Sequence, residues 1–224
     1  MYIHLTTHSG FSLQEGLATP KDLVQAAQAR GMPALGLTNR NLLTGVIEFA
    51  TACRETNIQP IIGLEVHLND SPVSLLATSP EGWSCLCRLS SAINLRENPD
   101  APCTLEMLDS CSSDLIALSK HPHLLKEIFP DRLYVNLQDP SEADYLSIAA
   151  RQLDLPTVVT HPVYYLTPDQ ATLQRTLTAV RLGKTISTLP KDAPAPADAF
   201  SSLHSRLKTA FNSIPRLFYN LQSR

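Results

Sequence analysis

Residues 4–16 read HLTTHSGFSLQEG, and this stretch is the starting point for both fold and function. The apolar residues Ile3 and Leu5 predict a strand at its beginning. That strand carries His8 to its C-terminal end, where a polar turn with Glu15 follows. Because His, Asp and Glu side chains at strand ends hold Zn²⁺ or Mn²⁺ in hydrolytic enzymes, the stretch is typical of a metal-binding loop.

One ligand of this loop is missing. Thr6 lies two residues before His8, and residues two apart in a strand share a face. A histidine at position 6 would complete a two-ligand clamp with His8, whereas threonine is a poor ligand. Whether the chain is an enzyme or the relic of one depends on this loop and its partners.

The rest of the chain alternates strand-like and helix-like segments, which predicts a parallel α/β architecture. Thr19-Pro20-Lys21-Asp22 is a capped helix start, and Gly31 ends that helix. The predicted strands are 34–38, 59–68, 73–77, 115–118, 133–137 and 157–160, with 73–77 antiparallel to 59–68. Further helices are predicted over 42–55, 80–93, 105–108, 141–152 and 167–180.

The C-terminal part of the chain has a different composition. Residues 188–199 contain three prolines and four alanines, typical of a linker. From Phe200 onward the sequence predicts a weakly amphipathic helical tail whose apolar positions need a partner surface: Leu203, Leu207, Phe211 and Leu217. We therefore divide the chain into a domain (1–187), a linker (188–199) and a tail (200–224), and we expect the tail to pack on the domain or on a partner.

The amino-acid composition limits the functions that we expect of the chain. The chain has 43 % hydrophobic and 17 % charged residues, a net charge of −3 and a pI near 6.1. This balance lacks the basic footprint of non-specific nucleic-acid binding, so we do not expect the chain alone to bind DNA. Neither a signal peptide nor an apolar run of about 20 residues is present, so we expect a soluble, cytoplasmic protein without a membrane partner.

The chain has five cysteines, an odd number with uneven spacing: Cys53, Cys85, Cys87, Cys103 and Cys111. This pattern predicts reduced thiols rather than a disulfide framework or a zinc knuckle.

Several sequence blocks occur in an order that is similar to a known family. They are 4–16, 31–38, 45–49, 60–66, 81–89, 115–119, 156–160, 165–168 and 181–185. In these blocks the chain resembles the PHP (polymerase and histidinol phosphatase) domain at the N-terminus of the bacterial DNA polymerase III alpha subunit and its error-prone paralogues. The likeness covers about residues 1 to 187 and is weaker over 200–221.

The resemblance implies a PHP-type distorted (β/α)7 TIM-like barrel with a C-terminal helical tail. Active members of the family carry His, Asp and Glu ligands for several metal ions at the C-terminal ends of the strands, and they hydrolyse phosphoesters. In polymerases such a site can act as a 3′–5′ exonuclease. In many polymerases it is degenerate, and the domain is a scaffold for polymerase stability or for binding a proofreading subunit.

The family's first and second metal motifs are altered in this chain. The first has Thr6 in place of a histidine, keeps His8, and has Glu15 where Asp is usual. The second, normally Thr-Asp-His-Gly, reads Thr-Asn-Arg-Asn over 38–41. Asn39 can ligate a metal only weakly, and Arg40 cannot ligate one.

The later motifs are also incomplete. The third ligand is retained as Glu65, whereas Pro162 and Tyr164 stand where the last motif has Asp and His. His161 lies beside that motif but out of register. His121 and His123, on a predicted surface loop, are further ligands to consider, and His4 is expected to be a core histidine.

Charge argues against a multinuclear metal site. Glu15 and Glu65 are its only carboxylates, and Arg40 adds a fixed positive charge. We hypothesise that Arg40 occupies the vacated metal position and pairs with Glu15, Glu65 or both, because buried carboxylates need a partner.

The sequence therefore predicts a degenerate PHP domain without a cofactor, acting as a scaffold or interaction module in DNA replication or repair. Its expected partners are replicative polymerase or proofreading subunits. One alternative is a Zn²⁺- or Mn²⁺-dependent phosphoesterase or 3′–5′ exonuclease with a reduced ligand set (His8, Glu15 and Glu65, with His121, His123 or His161). The other alternative is a non-functional polymerase remnant.

Overall fold

Strands and helices alternate along the chain in the computed structural model, which describes residues 3–69 and 71–190. The strands are Ala34–Leu37 (β1), Gln59–Leu68 (β2), Ser71–Ala77 (β3), Leu115–Ser119 (β4), Leu133–Leu137 (β5) and Thr157–Val159 (β6). The α-helices are Pro20–Ala29 (α1), Val46–Thr56 (α2), Pro80–Asn94 (α3), Leu105–Ser110 (α4), Pro122–Leu125 (α5), Ala143–Gln152 (α6) and Ala171–Arg181 (α7). Short 3-10 turns at Pro140–Glu142 and Pro168–Gln170 precede the last two helices.

The strands form one curled six-stranded sheet in the order β1-β2-β3-β4-β5-β6. All neighbouring strands are parallel except β3, which runs antiparallel to both β2 and β4. The predicted hairpin of β2 and β3 is thus confirmed. Apart from β3, the C-terminal ends of the strands lie at the same edge of the sheet, where a site can form.

The N-terminal segment, residues 3–8, connects the two ends of the sheet. The Thr38 amide donates to the Thr7 carbonyl (2.8 Å), and Thr7 also forms a parallel bridge with Val163, beyond β6. The segment thereby closes the sheet into a distorted TIM-like barrel, as expected. The predicted first strand was wrong in detail, because among residues 3–8 regular strand pairing is reduced to the isolated bridge at Thr7.

Gly36 makes this closure possible. A Cβ atom at Gly36 would lie 2.4 Å from the carbonyl oxygen of Leu5, which is closer than real Cβ contacts. The Gly36 amide instead donates to the His4 carbonyl at 2.7 Å. Only glycine lets β1 and the N-terminal segment approach this closely.

Apolar packing occurs on both faces of the sheet. On the outer face, alternate strand residues pack against the helices; Leu35 and Leu37, for example, contact residues of α1 and α2. On the inner face, a smaller apolar layer fills the barrel: Ile3, Leu5, Ala34, Leu76, Leu118 and Val158. We call this set the apolar floor.

Helix starts follow local chemistry. The capping box predicted at the first helix is confirmed, since the Asp22 amide donates to Thr19 Oγ1 (3.1 Å) and the Thr19 amide donates to Asp22 Oδ2 (3.3 Å). The second helix begins at Val46 rather than at residue 42, because Gly45 adopts a left-handed conformation with φ 85°.

The predicted surface loop after β4 contains the short helix α5, and all five cysteines are free thiols. The tail from Phe200 and most of the linker lie outside the described residues. No helix in the described ranges is long and apolar enough to cross a membrane.

Candidate functional site

A polar layer lies on the inner face of the barrel, next to the apolar floor. By strand alternation it includes Glu65 on β2, Ser74 on β3 and Asn136 on β5, all buried. Segments after β1 and β6 add side chains from the edge of the sheet where the parallel strands end. The family-like motifs of the sequence therefore converge at this end of the barrel.

His8 is at the centre of this layer and is fully buried. Its Nδ1 lies 3.2 Å from Ser12 Oγ, and its Nε2 lies 3.4 Å from Glu65 Oε2. The Tyr164 ring stacks on the imidazole, with ring centroids 4.4 Å apart and an interplanar angle of 9°. With His67, these residues form what we call the His8 cluster: His8, Ser12, Glu65, His67 and Tyr164.

The order Ser12–His8–Glu65 is similar to that of a nucleophilic serine triad, but the environment differs. Ser12 is 1 % exposed, so a substrate cannot reach its hydroxyl. That hydroxyl also accepts from the Arg40 amide (3.0 Å) and lies 3.3 Å from Asn39 Oδ1. Ser12 is thus a structural hub that ties two loops together.

Glu65 is held as a carboxylate by two histidines. Burial raises its pKa, but His8 and His67 lower it more, and the net result is a pKa of about 2. His67 Nε2 lies 3.6 Å from the second oxygen, Oε1, so each imidazole faces a different oxygen of the same carboxylate. The two histidines flank Glu65 instead of converging on a common point beyond it.

Asn39, which the sequence predicts to stand at the family's aspartate position, forms hydrogen bonds within the protein. Its Oδ1 accepts from the Ser9 amide (2.8 Å) and the Ser9 hydroxyl (3.1 Å). Its Nδ2 donates to the Thr44 carbonyl (3.1 Å). Because an aspartate has no proton for that carbonyl when it is ionised, this geometry requires asparagine.

Arg40 points to the mouth of the site. Arg40 Nη1 lies 2.8 Å from Glu15 Oε1, and Arg181 Nη1, at the end of α7, lies 3.4 Å from the same oxygen. The hypothesis that Arg40 pairs with a carboxylate is confirmed for Glu15. With Glu65 it shares only a backbone bridge. These residues line a cavity of about 370 Å³, and we call Arg40 and Arg181 the arginine pair.

At three positions where the sequence predicts a missing ligand, the side chains present do not supply one. Thr6 Oγ1 is buried without a hydrogen-bond partner among the described residues. Burial raises the pKa of the Tyr164 phenol well above its ordinary value, and the charges of Glu65 and Glu15 raise it further, so this group stays protonated. Pro162 offers no side-chain donor atom.

The other histidines lie apart from the His8 cluster. His121 and His123 are exposed around the start of α5, and in the described residues no hydrogen bond or ion pair joins them to Glu15 or Glu65. His161 is buried near His4, with ring centroids 6.4 Å apart. Burial, and then the proximity of His161, lower the pKa of His4 to about 4.

Three site residues were not identified as such from the sequence: His67, Ser12 and Arg181. His67 had a usable signal, because it lies two residues after Glu65 in a strand and must share its face. Ser12 and Arg181 had no such signal in the sequence, because their contacts depend on how a loop and α7 fold over the end of the barrel.

The donor set does not fit the multinuclear metal centre of active PHP domains. Among the described residues, no group of three His, Cys, Asp or Glu side chains is arranged to hold a metal ion. Both polar ends of the Asn39 amide are already bonded, and two guanidinium groups face the carboxylate of Glu15. Fixed cations at this position disfavour a dication.

The chain is similar to a known protein family and to several individual proteins. A family model described as PHP domain matches residues 4–151. An error-prone DNA polymerase of Symbiobacterium thermophilum is 33 % identical over 80 % of this chain and 21 % of its own length. A DNA polymerase III subunit alpha of Buchnera aphidicola is 25 % identical over 98 % of this chain and 22 % of its own length. The chain thus spans about a fifth of the length of these relatives.

Solved structures of similar fold were also found. One is described as a candidate metal-dependent phosphoesterase from Bifidobacterium adolescentis, with a TM-score of 0.51 and 14 % identity, covering 71 % of this chain and 86 % of that one. Another is an amidohydrolase from Chromobacterium violaceum with bound sulfate and no metal. Its TM-score is 0.50 at 15 % identity, over 74 % of this chain and 88 % of that one. At such identities the likeness shows the fold alone.

Proposed function

This chain belongs to the PHP domain family, and we propose that it is a non-catalytic member that acts as an interaction module in DNA replication or repair. The relatives that support this setting are polymerases, among them an error-prone DNA polymerase and a DNA polymerase III subunit alpha. The module has the family fold but uses the metal-binding end of the barrel for internal hydrogen bonds and ion pairs.

The observation that carries the proposal is the ion pair of Arg40 and Glu15. Arg40 stands at the histidine position of the family's second motif, and its guanidinium is 2.8 Å from Glu15. Arg181 brings a second cation to the same carboxylate. A fixed guanidinium neutralises the carboxylate that a metal would otherwise bind, so the site gains order without a metal ion.

A phosphoesterase with a reduced ligand set is the second candidate function. The observation in its favour is the closeness of His8 and His67 to the ionised Glu65. Against it stand the full burial of His8 and the separate carboxylate oxygens that the two histidines face.

Metal content and turnover distinguish the two candidates. Protein purified without chelator is analysed by mass spectrometry for Zn and Mn, and then assayed with a phosphodiester and with single-stranded DNA in each metal. We expect substoichiometric metal and no turnover above that of the matched variant Glu65→Gln. Stoichiometric metal, together with turnover that Glu65→Gln abolishes, would establish the phosphoesterase instead.

Association is tested separately. The affinity-tagged chain, expressed at its natural level in its own host, is expected to co-purify with polymerase or proofreading subunits. If no such subunit is enriched over an untagged strain, the chain is a remnant and the proposed module has no partner.

A further inference from the structure

Helix α7 buries polar side chains and exposes apolar ones. Its buried positions include Gln174 and Thr178, 3 % and 0 % exposed, which bond to each other through Gln174 Nε2 and Thr178 Oγ1 (3.2 Å). Leu173 and Val180 are 53 % and 60 % exposed. Exposed single apolar residues are ordinary, but an apolar row on a helix that buries polar groups is typical of a contact surface.

This row is continuous along the helix. Leu173, Leu177 and Val180 follow the i, i+4, i+7 spacing of one helix face, and Leu177 is partly exposed between the two others. The ends of the row are seven positions apart, or about 10 Å at the helical rise. We call these three residues the α7 stripe.

We propose that the α7 stripe is the docking surface for the chain's own C-terminal segment, residues 203–211. In the sequence, Leu203, Leu207 and Phe211 have i, i+4, i+8 spacing, which predicts an apolar helix face about 12 Å long. The two apolar rows therefore match in length. Pairing them removes both from water, which neither row achieves alone.

The path of the chain places the segment within reach. After α7 the backbone turns back along the helix, where Arg175 Nη2 donates to the Ile186 carbonyl (3.2 Å) and Leu189 is buried. Residues 191–202 separate this point from the segment, and twelve residues can span about 40 Å when extended. α7 is only about 16 Å long, so either end of the stripe is accessible.

Net charge draws the segment to the domain as a whole, whereas α7 itself carries Arg175 and Arg181 and no acidic residue, so the apolar rows and not charge select this surface. Residues 200–224 contain four basic residues and no acidic one, whereas residues 1–190 contain 19 acidic and 13 basic residues. A basic segment tethered to an acidic domain is attracted to it over a Debye length, before apolar contact is made. The inference does not depend on whether the barrel binds a metal ion.

Disulfide trapping tests the contact in the full chain. The pair Val180→Cys with Leu207→Cys is compared with Thr172→Cys with Leu207→Cys, because Thr172 is exposed on another face of α7. Under mild oxidation, we expect an intramolecular bond in the first pair at a yield independent of protein concentration, and little in the second. Equal yields in both pairs, or bonds that form only between copies, would overturn the proposal.

Proteolysis gives a second, non-covalent readout. Trypsin cleaves after Arg206 and Lys208, which the docked segment would protect. Val180→Glu should speed this cleavage about tenfold relative to the wild type, because cleavage follows the population of the open form. The matched control Thr172→Glu should not change it. Cleavage that is equally fast in all three proteins would contradict the inference.

Discussion

Two neighbouring layers of the barrel interior belong to the same sheet but are stabilised in different ways. The apolar floor, with Leu76 and Leu118, is stabilised by the burial of apolar side chains alone. This stabilisation adds up over the residues and does not require one particular side-chain shape. The polar layer, with Glu65 and Asn39, depends on partners in specific positions. Residues only two positions apart on a strand are thus stabilised in different ways.

The difference would allow metal ligands to be replaced while the fold remains, as we propose for this chain. The free energy of folding comes mainly from the floor and the outer helix–sheet packing, so metal ligands can be lost without loss of the barrel. The polar layer must then satisfy its buried groups by itself. It does so in part, through Ser12, Asn39 and the arginine pair. Among the described residues, Thr6 Oγ1, His8 Nε2 and Arg181 Nε are buried without a hydrogen-bond partner.

Truncation in the floor should have the largest effect. Leu118 is fully buried, so Leu118→Ala should lower the free energy of unfolding by about 2–5 kcal/mol, the range for a leucine that leaves a cavity. Urea unfolding followed by circular dichroism measures the change. Leu95→Ala, at a site 85 % exposed, is the control and should stay within about 0.5 kcal/mol of wild type.

If Leu118→Ala does not fold, Leu118→Val gives the same test with a smaller cavity. If either variant loses no more free energy of unfolding than Leu95→Ala does, the floor is not the main source of barrel stability.

In the polar layer, Glu65→Gln should have a smaller effect that depends on pH. Because the folded pKa of about 2 lies below the ordinary 4.5, the ionised carboxylate stabilises the fold above pH 4.5. That stability is lost as the pH falls from 4.5 toward 2. At pH 7, Glu65→Gln should cost about 1–3 kcal/mol, and its difference from wild type should shrink through this window.

Urea unfolding at a series of pH values between 7 and 2 measures this difference. Glu48→Gln, at an exposed position on α2, is the matched control. A difference between wild type and Glu65→Gln that stays constant with pH would show that the two histidines do not hold the carboxylate ionised.

The contrast between the apolar floor and the polar layer also explains which features the sequence predicts well. Strand β2 was predicted with its observed bounds, because its apolar run lies between clear turn signals. Burial patterns are a local property of sequence, so most of the outer packing and the floor could be expected. The N-terminal strand was overestimated because its pairing depends on Gly36 and on Val163, far along the chain.

The polar layer was predicted less completely. The resemblance to the PHP family located His8, Glu15 and Glu65, and charge alone pointed to the pairing of Arg40. The approach of Arg181 to Glu15 depends on how α7 lies across the barrel end, for which a single sequence carries no signal. Asn39 was considered a weak ligand, whereas its amide in fact links two loops.

Two adjacent threonines test the polar layer at the level of single hydroxyl groups. Thr7 Oγ1 donates to the Gly36 carbonyl, whereas the buried Thr6 Oγ1 has no partner in the described structure. Thr7→Val should therefore cost about 0.5–1.5 kcal/mol, and Thr6→Val should be neutral or stabilising. Each variant is the control for the other in urea unfolding. Equal losses would mean that Thr6 has a role the hydrogen bonds do not reveal.

The smallest effect is expected at the mouth of the site, where the ions are partly exposed. A double-mutant cycle of Arg40→Gln and Glu15→Gln should give a coupling energy of about 0.5–1 kcal/mol, and a cycle with Arg181→Gln a smaller one, because its distance to Glu15 is 3.4 Å rather than 2.8 Å. Both couplings should weaken in high salt. A coupling for Arg181 equal to that for Arg40 would show that the two cations share Glu15 evenly. The metal position that we propose to be vacated would then be filled by the arginine pair as a unit and not by Arg40 alone.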